Sequence, residues 1–572
     1  MGRKSKQAKL ICYNSVALAK TLEVGSTQNS NLTRGASIMV ISVTLAKVLG
    51  LVYIFPLTRL IHDTGIGIYS NAYNLYIIFL TLSTAGFPTA MGKLVSERLA
   101  LHKYADVEQI YRYTMWSLTI LSVLLFFGMW YGAPLYSHLV AIKDPKGSQQ
   151  YLTWSVRAVA PSLLVVPLLS GFRGYLQGFQ QLEPSAYSQA IEQVVRVVAI
   201  VAGAYLVTRV LHEGVAAGAA AATFAAFPGA LVALVVLVFS VIPLRRQFKS
   251  KRFDMRNAMS PREAIRALNA VAIPVSLGAL VVPISGLSDS LTVQNFLMLA
   301  GYSLSQAIAQ YGILSRQAMQ LIQLPLAFAM AIGASVLPSI AHAQALRDQK
   351  TIETNISGTI RSMFFMTFPV AAALLLLAVP IDLVLFGKTE GAPIISSVSF
   401  MGIFSGLELV STYMLQGLGK MYRPVRNMFI GIFVKVVLNV VLILPFGIMG
   451  AAIATTIGYL FSSTLNVLAV KKYGRVQFSV WRLAAPSLLA SVVLGVSLAL
   501  CNYAAYHTGV YIIHSAFWLR AWQLLWSIGI GAVVYIVASI RLKAVSANEL
   551  RRVPVVGTRL SRFAGRVQGG AY

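Results

Sequence analysis

Residues 245–266 read RRQFKSKRFDMRNAMSPREAIR: eight cations, flanked on both sides by long apolar sequence. Upstream lies the apolar stretch 214–243 and downstream the stretch 267–288. Working outward in both directions gives fourteen such segments, at about 36–58, 68–91, 113–136, 152–172, 187–208, 214–243, 267–288, 311–336, 362–386, 394–417, 427–446, 448–469, 483–505 and 521–540. A helix needs about 20 apolar residues to cross the hydrocarbon core of a bilayer. Six segments precede the basic stretch and eight follow it. Of the 47 Lys and Arg residues, 36 lie in the two tails or in the even-numbered gaps, six in the odd-numbered gaps, and five inside the segments. Positive charge stays on the cytoplasmic side during insertion, so both termini are expected in the cytoplasm of a bacterial plasma-membrane protein.

Composition agrees. The chain is 57% hydrophobic and 11% charged, with a mean hydropathy of +0.71, outside the range of soluble globular proteins. The net charge of +29 could suggest nucleic acid. The cations sit at the edges of apolar spans, however, and point instead to anionic lipid at the inner surface as a partner. Barrel strands would be about 10 residues long and alternating, so helices are expected. Cys12 and Cys501 imply neither a disulfide framework nor a metal site.

The two sides of the basic stretch repeat one another at an offset of six spans. Tyr175-Leu176-Gln177-Gly178 followed by Pro184 matches Met414-Leu415-Gln416-Gly417 followed by Pro424. Val195-Arg196-Val197 matches Val434-Lys435-Val436, each cation falling 18 residues after its Gln-Gly. Phe87-Pro88 matches Leu337-Pro338, and Gly214–Ala220 matches Gly447–Ala452. An even offset gives both halves the same orientation about an axis along the membrane normal. The expected organisation is a basic tail (1–35), an N-lobe of six helices (36–243), a basic linker (244–266), a C-lobe of six helices (267–470), two appended helices (483–540) and a basic tail (541–572). The fold class is thus all-α, with fourteen transmembrane helices in two pseudo-symmetric lobes plus two.

Ionised side chains inside hydrocarbon cost about 2.5–3.5 kcal/mol on insertion scales and survive by facing water or a partner. Lys47, midway along the first span, is expected to face a central cavity. Glu192 and Arg196 stand at i and i+4, either as a structural pair or as a substrate-binding one. Lys435 has no acid one turn away, which leaves its charge for a ligand or for a partner on another helix. Arg316, Gln320 and Gln323 stand at i, i+4 and i+7 and form one polar stripe. Arg157 lies near the outer end of its span, where it can bind substrate or snorkel. Glu408 and Asp289, with Asp382 near the outer end of the ninth span, are candidates for a coupling cation or for helix packing. The five cations outnumber the deep acids, and a low-dielectric space with surplus positive charge attracts an anion such as a phosphate. There is no phosphate-binding Gly-rich loop, no cluster with metal spacing and no catalytic triad, so neither an enzyme nor a resident cofactor is expected. Drive could come from the membrane potential, Na+ or H+.

Residues 46–59 (AKVLGLVYIFPLTR), 83–97 (STAGFPTAMGKLVSE), 168–196 (LLSGFRGYLQGFQQLEPSAYSQAIEQVVR) and 320–338 (QLIQLPLAFAMAIGASVLP) resemble the polysaccharide-exporter branch of the multidrug/oligosaccharidyl-lipid/polysaccharide flippase superfamily. The resemblance is to stage V sporulation protein B-like and MurJ-type lipid II flippases and covers about residues 36–540. It implies two lobes around a cationic cavity with alternating access, and a groove for a long lipid tail along helices 13 and 14. It also implies cations in helices 1, 2 and 8. Lys47 matches the first; Thr84 and Gln320 stand where the other two are expected, with Arg316 one turn from Gln320. The function implied is transfer of an undecaprenyl-pyrophosphate-linked saccharide, above all lipid II, to the outer leaflet. Export of capsular, exopolysaccharide or teichoic-type repeat units, ion-coupled multidrug export and a non-transporting scaffold for cell-wall synthases are the alternatives.

Overall fold

The structure is a computed structural model that describes residues 42, 45, 46, 48–50, 52–142, 148–249, 258–511, 513 and 515–544. Every regular element among them is helical. Lys47, the start of the first span, the middle of the basic linker and nearly all of both tails lie outside the described residues.

In chain order the N-terminal half comprises α1 (Ile54–Thr84), α2 (Phe87–Ala100), α3 (Tyr104–Val140), α4 (Ser148–Val159), α5 (Ser162–Gly178), α6 (Leu182–Tyr205), α7 (Val215–Phe224) and α8 (Ala226–Lys249). The next six spans are built from α9 (Pro261–Ala279), α10 (Val281–Leu299), α11 (Leu304–Gly312), α12 (Met319–Ala345), α13 (Gln349–Leu376), α14 (Ala378–Phe386), α15 (Ala392–Ser397), α16 (Met401–Gly417), α17 (Tyr422–Phe446) and α18 (Ile448–Gly474). The appended pair is α19 (Val480–Val510) and α20 (Ala516–Arg541).

Among the described residues eleven helical runs are long and apolar enough to cross a membrane, or twelve if the bent pair α9–α10 counts as one span. The expected number was fourteen. The first two expected spans fall within one run, Val48–Ala100, and a break at His62, whose φ of 52° and ψ of −175° are not helical, divides that run between them. The tenth expected span is divided between α15 and α16, and α16 alone has 17 residues.

Local sequence explains the boundaries. Ser260 and Glu263 form a reciprocal capping box ahead of Pro261, which opens α9. Ser303 and Gln306 do the same for α11. Between α17 and α18 only Gly447 intervenes; its φ of 56° is one that a side chain would resist.

The packing repeats as the sequence does. The second span meets the fourth through α2 and α5, and its counterpart α12 meets α16. α6 packs on α8 as α17 packs on α18, and α5 on α8 as α16 on α18. The Gln-Gly repeat sits at these crossings. A side chain at Gly174, four residues before Gly178, would meet Pro88, and one at Gly417 would meet Leu337 and Ile340. Two lobes of the same construction therefore bury their small-residue faces in the same way. α19 and α20 pack on each other and lean on α13 and α14, with the Tyr535 hydroxyl donating to Phe365 O at 2.7 Å. On the basic face Arg245 pairs with Glu108 at 2.5 Å and Met259 N donates to Asp106 Oδ1 at 2.7 Å, so both ends of the linker are fastened to α3.

Candidate functional site

The lobes meet along α1. Its polar face carries Tyr69, Tyr73 and Tyr76 at i, i+4 and i+7, one helical stripe. Tyr69 and Tyr73 stack at 5.8 Å, and Tyr76 follows at 5.6 Å from Tyr73. Tyr53, just before α1, closes the row with its hydroxyl 3.0 Å from that of Tyr69. Arg316 reaches this row from the opposite lobe. Its guanidinium lies 4.6 Å from the Tyr73 ring centre and 5.5 Å from that of Tyr69, and Nε donates to Ser70 Oγ at 3.2 Å. A planar cation stacked on aromatic faces keeps its other N–H groups available for an oxyanion. Arg316 occupies a π-turn, Ile313–Ala318, between α11 and α12. The wider turn breaks the expected i, i+4, i+7 stripe: Gln320 donates to Gly50 O at 2.9 Å, Gln323 is exposed, and Gln317 turns inward to Asp63.

From the other side the row is approached by α6. Glu192 Oε1 accepts from Arg196 Nη2 at 2.6 Å and Glu192 Oε2 from Arg173 Nη2 at 2.8 Å. Arg173 also donates to Ser188. The i, i+4 pair expected from the sequence is therefore one half of a buried Arg–Glu–Arg bracket. α6 packs directly against α1, so the bracket and the tyrosine row belong to neighbouring helices. The tyrosine row thus stands between three guanidinium groups and one carboxylate, with a surplus of positive charge. Glu192→Gln would leave two buried cations facing each other, and losing one partner of a buried pair costs about 3–5 kcal/mol. The expected result is a clear drop in the unfolding midpoint of the purified protein, against no change for Arg157→Ala, measured by thermal denaturation in one detergent.

The remaining expected residues separate. Lys435 is 2% exposed; it pairs with Asp289 at 2.9 Å and donates to Ser285 O and Oγ. It is not a free cation in this conformation, and Asp289 is not an open acid. The partner lies on α10, 146 positions away, where no helical spacing could reveal it. Glu408, also buried, takes hydrogen bonds from Thr412 at 3.1 Å and Asn466 at 3.5 Å, within the C-lobe. Arg157 donates to Trp130 O at 3.3 Å and lies 5.5 Å from the Trp130 ring, away from the tyrosine row. Asp382 accepts from Gly391 N at 2.7 Å and tethers the turn between α14 and α15. Lys47 falls outside the described residues.

Nearer the face with few cations, the lobes are sealed by groups that charge counting did not single out. Asp63 receives both Lys388 and Gln317. Asn71 and Gln294 exchange amide hydrogen bonds at 3.3 and 2.8 Å. Asn74 donates to Ser290 at 3.0 Å and to the Tyr311 hydroxyl at 2.6 Å. Ser315 donates to Ser70 at 2.8 Å.

A family model described as "Polysaccharide biosynthesis protein" matches residues 32–344. The chain is 27% identical over 547 residues to the lipid II flippase MurJ of Bacillus subtilis (strain 168), covering 92% of this chain and 98% of that protein. It is 25% identical over 537 residues to stage V sporulation protein B of the same organism, covering 92% and 99%. Among solved structures, the lipid II flippase MurJ in an inward closed conformation superposes with a TM-score of 0.63 at 16% identity, over 88% of this chain and 97% of that one. That likeness establishes a shared fold.

Proposed function

The chain belongs to the polysaccharide biosynthesis protein family, and on that premise we propose that it is a flippase for an undecaprenyl-pyrophosphate-linked saccharide, lipid II in the first place. The observation that carries this reading is the tyrosine row of α1 held between Arg316 and the Arg173–Glu192–Arg196 bracket. A pyrophosphate needs several N–H donors in a low-dielectric setting, and arginine supplies them in a planar fork. Sugars need hydroxyl and aromatic partners, which the tyrosines provide. The surplus cation argues against a multidrug exporter of cations: Glu192 and Asp289 are held by arginine and lysine, and Glu408 alone does not outweigh the cations around the tyrosine row.

In this reading the headgroup enters from the cytoplasmic side, the prenyl tail stays in lipid along α19 and α20, and rearrangement of the lobes carries the headgroup outward. Both termini face the cytoplasm. An inside-negative potential favours outward movement of an anion by about 2.3 kcal/mol per charge per 100 mV. For a coupling ion, Na+ or H+, Glu408 is a candidate, a buried acid of the C-lobe with no ion-pair partner among the described residues. Carriage of other lipid-linked saccharides is favoured by one observation: the family description names polysaccharide synthesis at large.

Two assays test the reading together. Purified protein in vesicles carrying lipid II should expose it at the far leaflet faster than protein-free vesicles. The gene should also restore growth to a bacterium depleted of its own lipid II flippase. Flipping of an undecaprenyl-linked capsular repeat unit but not of lipid II would move the assignment to the second saccharide class. Failure with both lipids would overturn the flippase reading.

A further inference from the structure

A second cluster of cations lies far from the tyrosine row, on the basic face where α17 begins and α18 ends. Lys420 Nζ lies 5.1 Å, Arg423 Cζ 5.3 Å and Lys472 Nζ 6.0 Å from the centre of the Tyr473 ring. Lys471 Nζ lies 5.1 Å from the ring of Phe478. Ring faces attract cations and limit their wandering. Among the described residues no carboxylate pairs with any of these four. The turn that presents them is pinned by Gln349, whose side chain donates to Gly474 O and Arg475 O. A groove of about 680 Å³ opens beside it, lined by Leu468, Lys471, Lys472, Gln477, Phe478 and Ser479. Ser479 is the N-cap of α19, so the positive end of that helix dipole points into the same space. The groove has an apolar wall, and Leu468 and Trp481, 55% and 66% exposed, continue it along the surface.

We propose that this groove is a binding site for one anionic phospholipid of the cytoplasmic leaflet. The phosphodiester lies between Lys471, Lys472 and the start of α19, Lys420 and Arg423 complete the field, and the acyl chains follow Leu468 and Trp481. A free phosphate would have no use for the apolar wall, and a zwitterionic lipid would lose the net attraction of four unpaired cations. The site does not depend on what the tyrosine row binds.

The test uses the full-length protein in detergent, titrated with phosphatidylglycerol or phosphatidylcholine, with retained lipid read by native mass spectrometry. Phosphatidylglycerol should be retained preferentially. Each cation near an anionic lipid is worth roughly a fivefold change in binding. Lys471→Gln with Lys472→Gln should therefore weaken phosphatidylglycerol binding roughly 25-fold, while Lys471→Arg with Lys472→Arg keeps it. Equal retention of the two lipids, or unchanged binding in the glutamine variant, overturns the proposal. Displacement of the lipid by soluble glycerophosphate at equal concentration would reduce the site to a plain anion site and overturn it as well.

Discussion

Arg316→Ala is expected to reduce lipid II flipping at least about 30-fold while leaving the protein folded. Among the described residues its one hydrogen bond is to Ser70 at 3.2 Å, and it also lies against the faces of Tyr69 and Tyr73. Losing it therefore removes little from the fold. Truncating one member of a buried charge pair costs about 2 kcal/mol or more, and every 1.4 kcal/mol is tenfold. Arg316→Lys should fall between wild type and alanine, since an ammonium keeps the charge and loses both the stack and the bidentate fork. Arg157→Ala is the control: it removes a span cation held by Trp130, away from the row, and should flip at the wild-type rate. Initial rates in vesicles of one composition, normalised to protein inserted, decide the matter. Wild-type flipping in the alanine variant would take Arg316 out of the transport path.

The helical spans were legible because hydrophobic length obeys a one-dimensional rule. The two lobes were legible because their Gln-Gly, Phe-Pro and cation landmarks keep one offset, and the crossings at Gly174 and Gly417 show what those small residues do. The site was legible only in part. Arg316 and the Glu192–Arg196 pair stand out as charges in apolar sequence. Arg173 does not, because it falls one residue beyond the fourth apolar segment and reads as a loop cation until it is seen on Glu192. The tyrosine row shows as a spacing of four and three within α1, but tyrosine carries no charge to draw attention. The pairing of Lys435 with Asp289 and of Lys388 with Asp63 joins residues far apart in the chain, and no periodicity reports that. The gap read between the first two spans coincides with a backbone break at His62, whose dihedrals are not helical.

Gly67→Ala is expected to open the seal near the cation-poor face, an effect out of proportion to one methyl group. A side chain at Gly67 would place its Cβ 2.0 Å from Ile308 O, and one at Gly312 would lie 2.6 Å from both Asp63 O and Gly67 N. Here α1 and α11 touch backbone to backbone, and no rotamer can relieve the clash. The two helices must part, and overpacking of this kind costs about 1–3 kcal/mol. In the proposed alternating-access cycle the cost falls on the conformation closed at this end, the one in which this contact is seen. The groups that would separate are the ones that complete the seal: Asn71 from Gln294, Ser70 from Ser315, and Asp63 from Lys388 and Gln317. A shift of that size moves a two-state equilibrium roughly 5- to 150-fold. A cysteine at Ser70, in a chain whose Cys12 and Cys501 are replaced by serine, reports the change. It should be protected from a membrane-impermeant maleimide in the parent and become labelled when Gly67→Ala is added. Gly132→Ala, where an added Cβ meets nothing within 4 Å, should leave labelling unchanged. Because transport needs the seal to close as well as to open, flipping should fall together with the gain in labelling. Protection that persists in Gly67→Ala would mean that this crossing is not what holds the lobes shut.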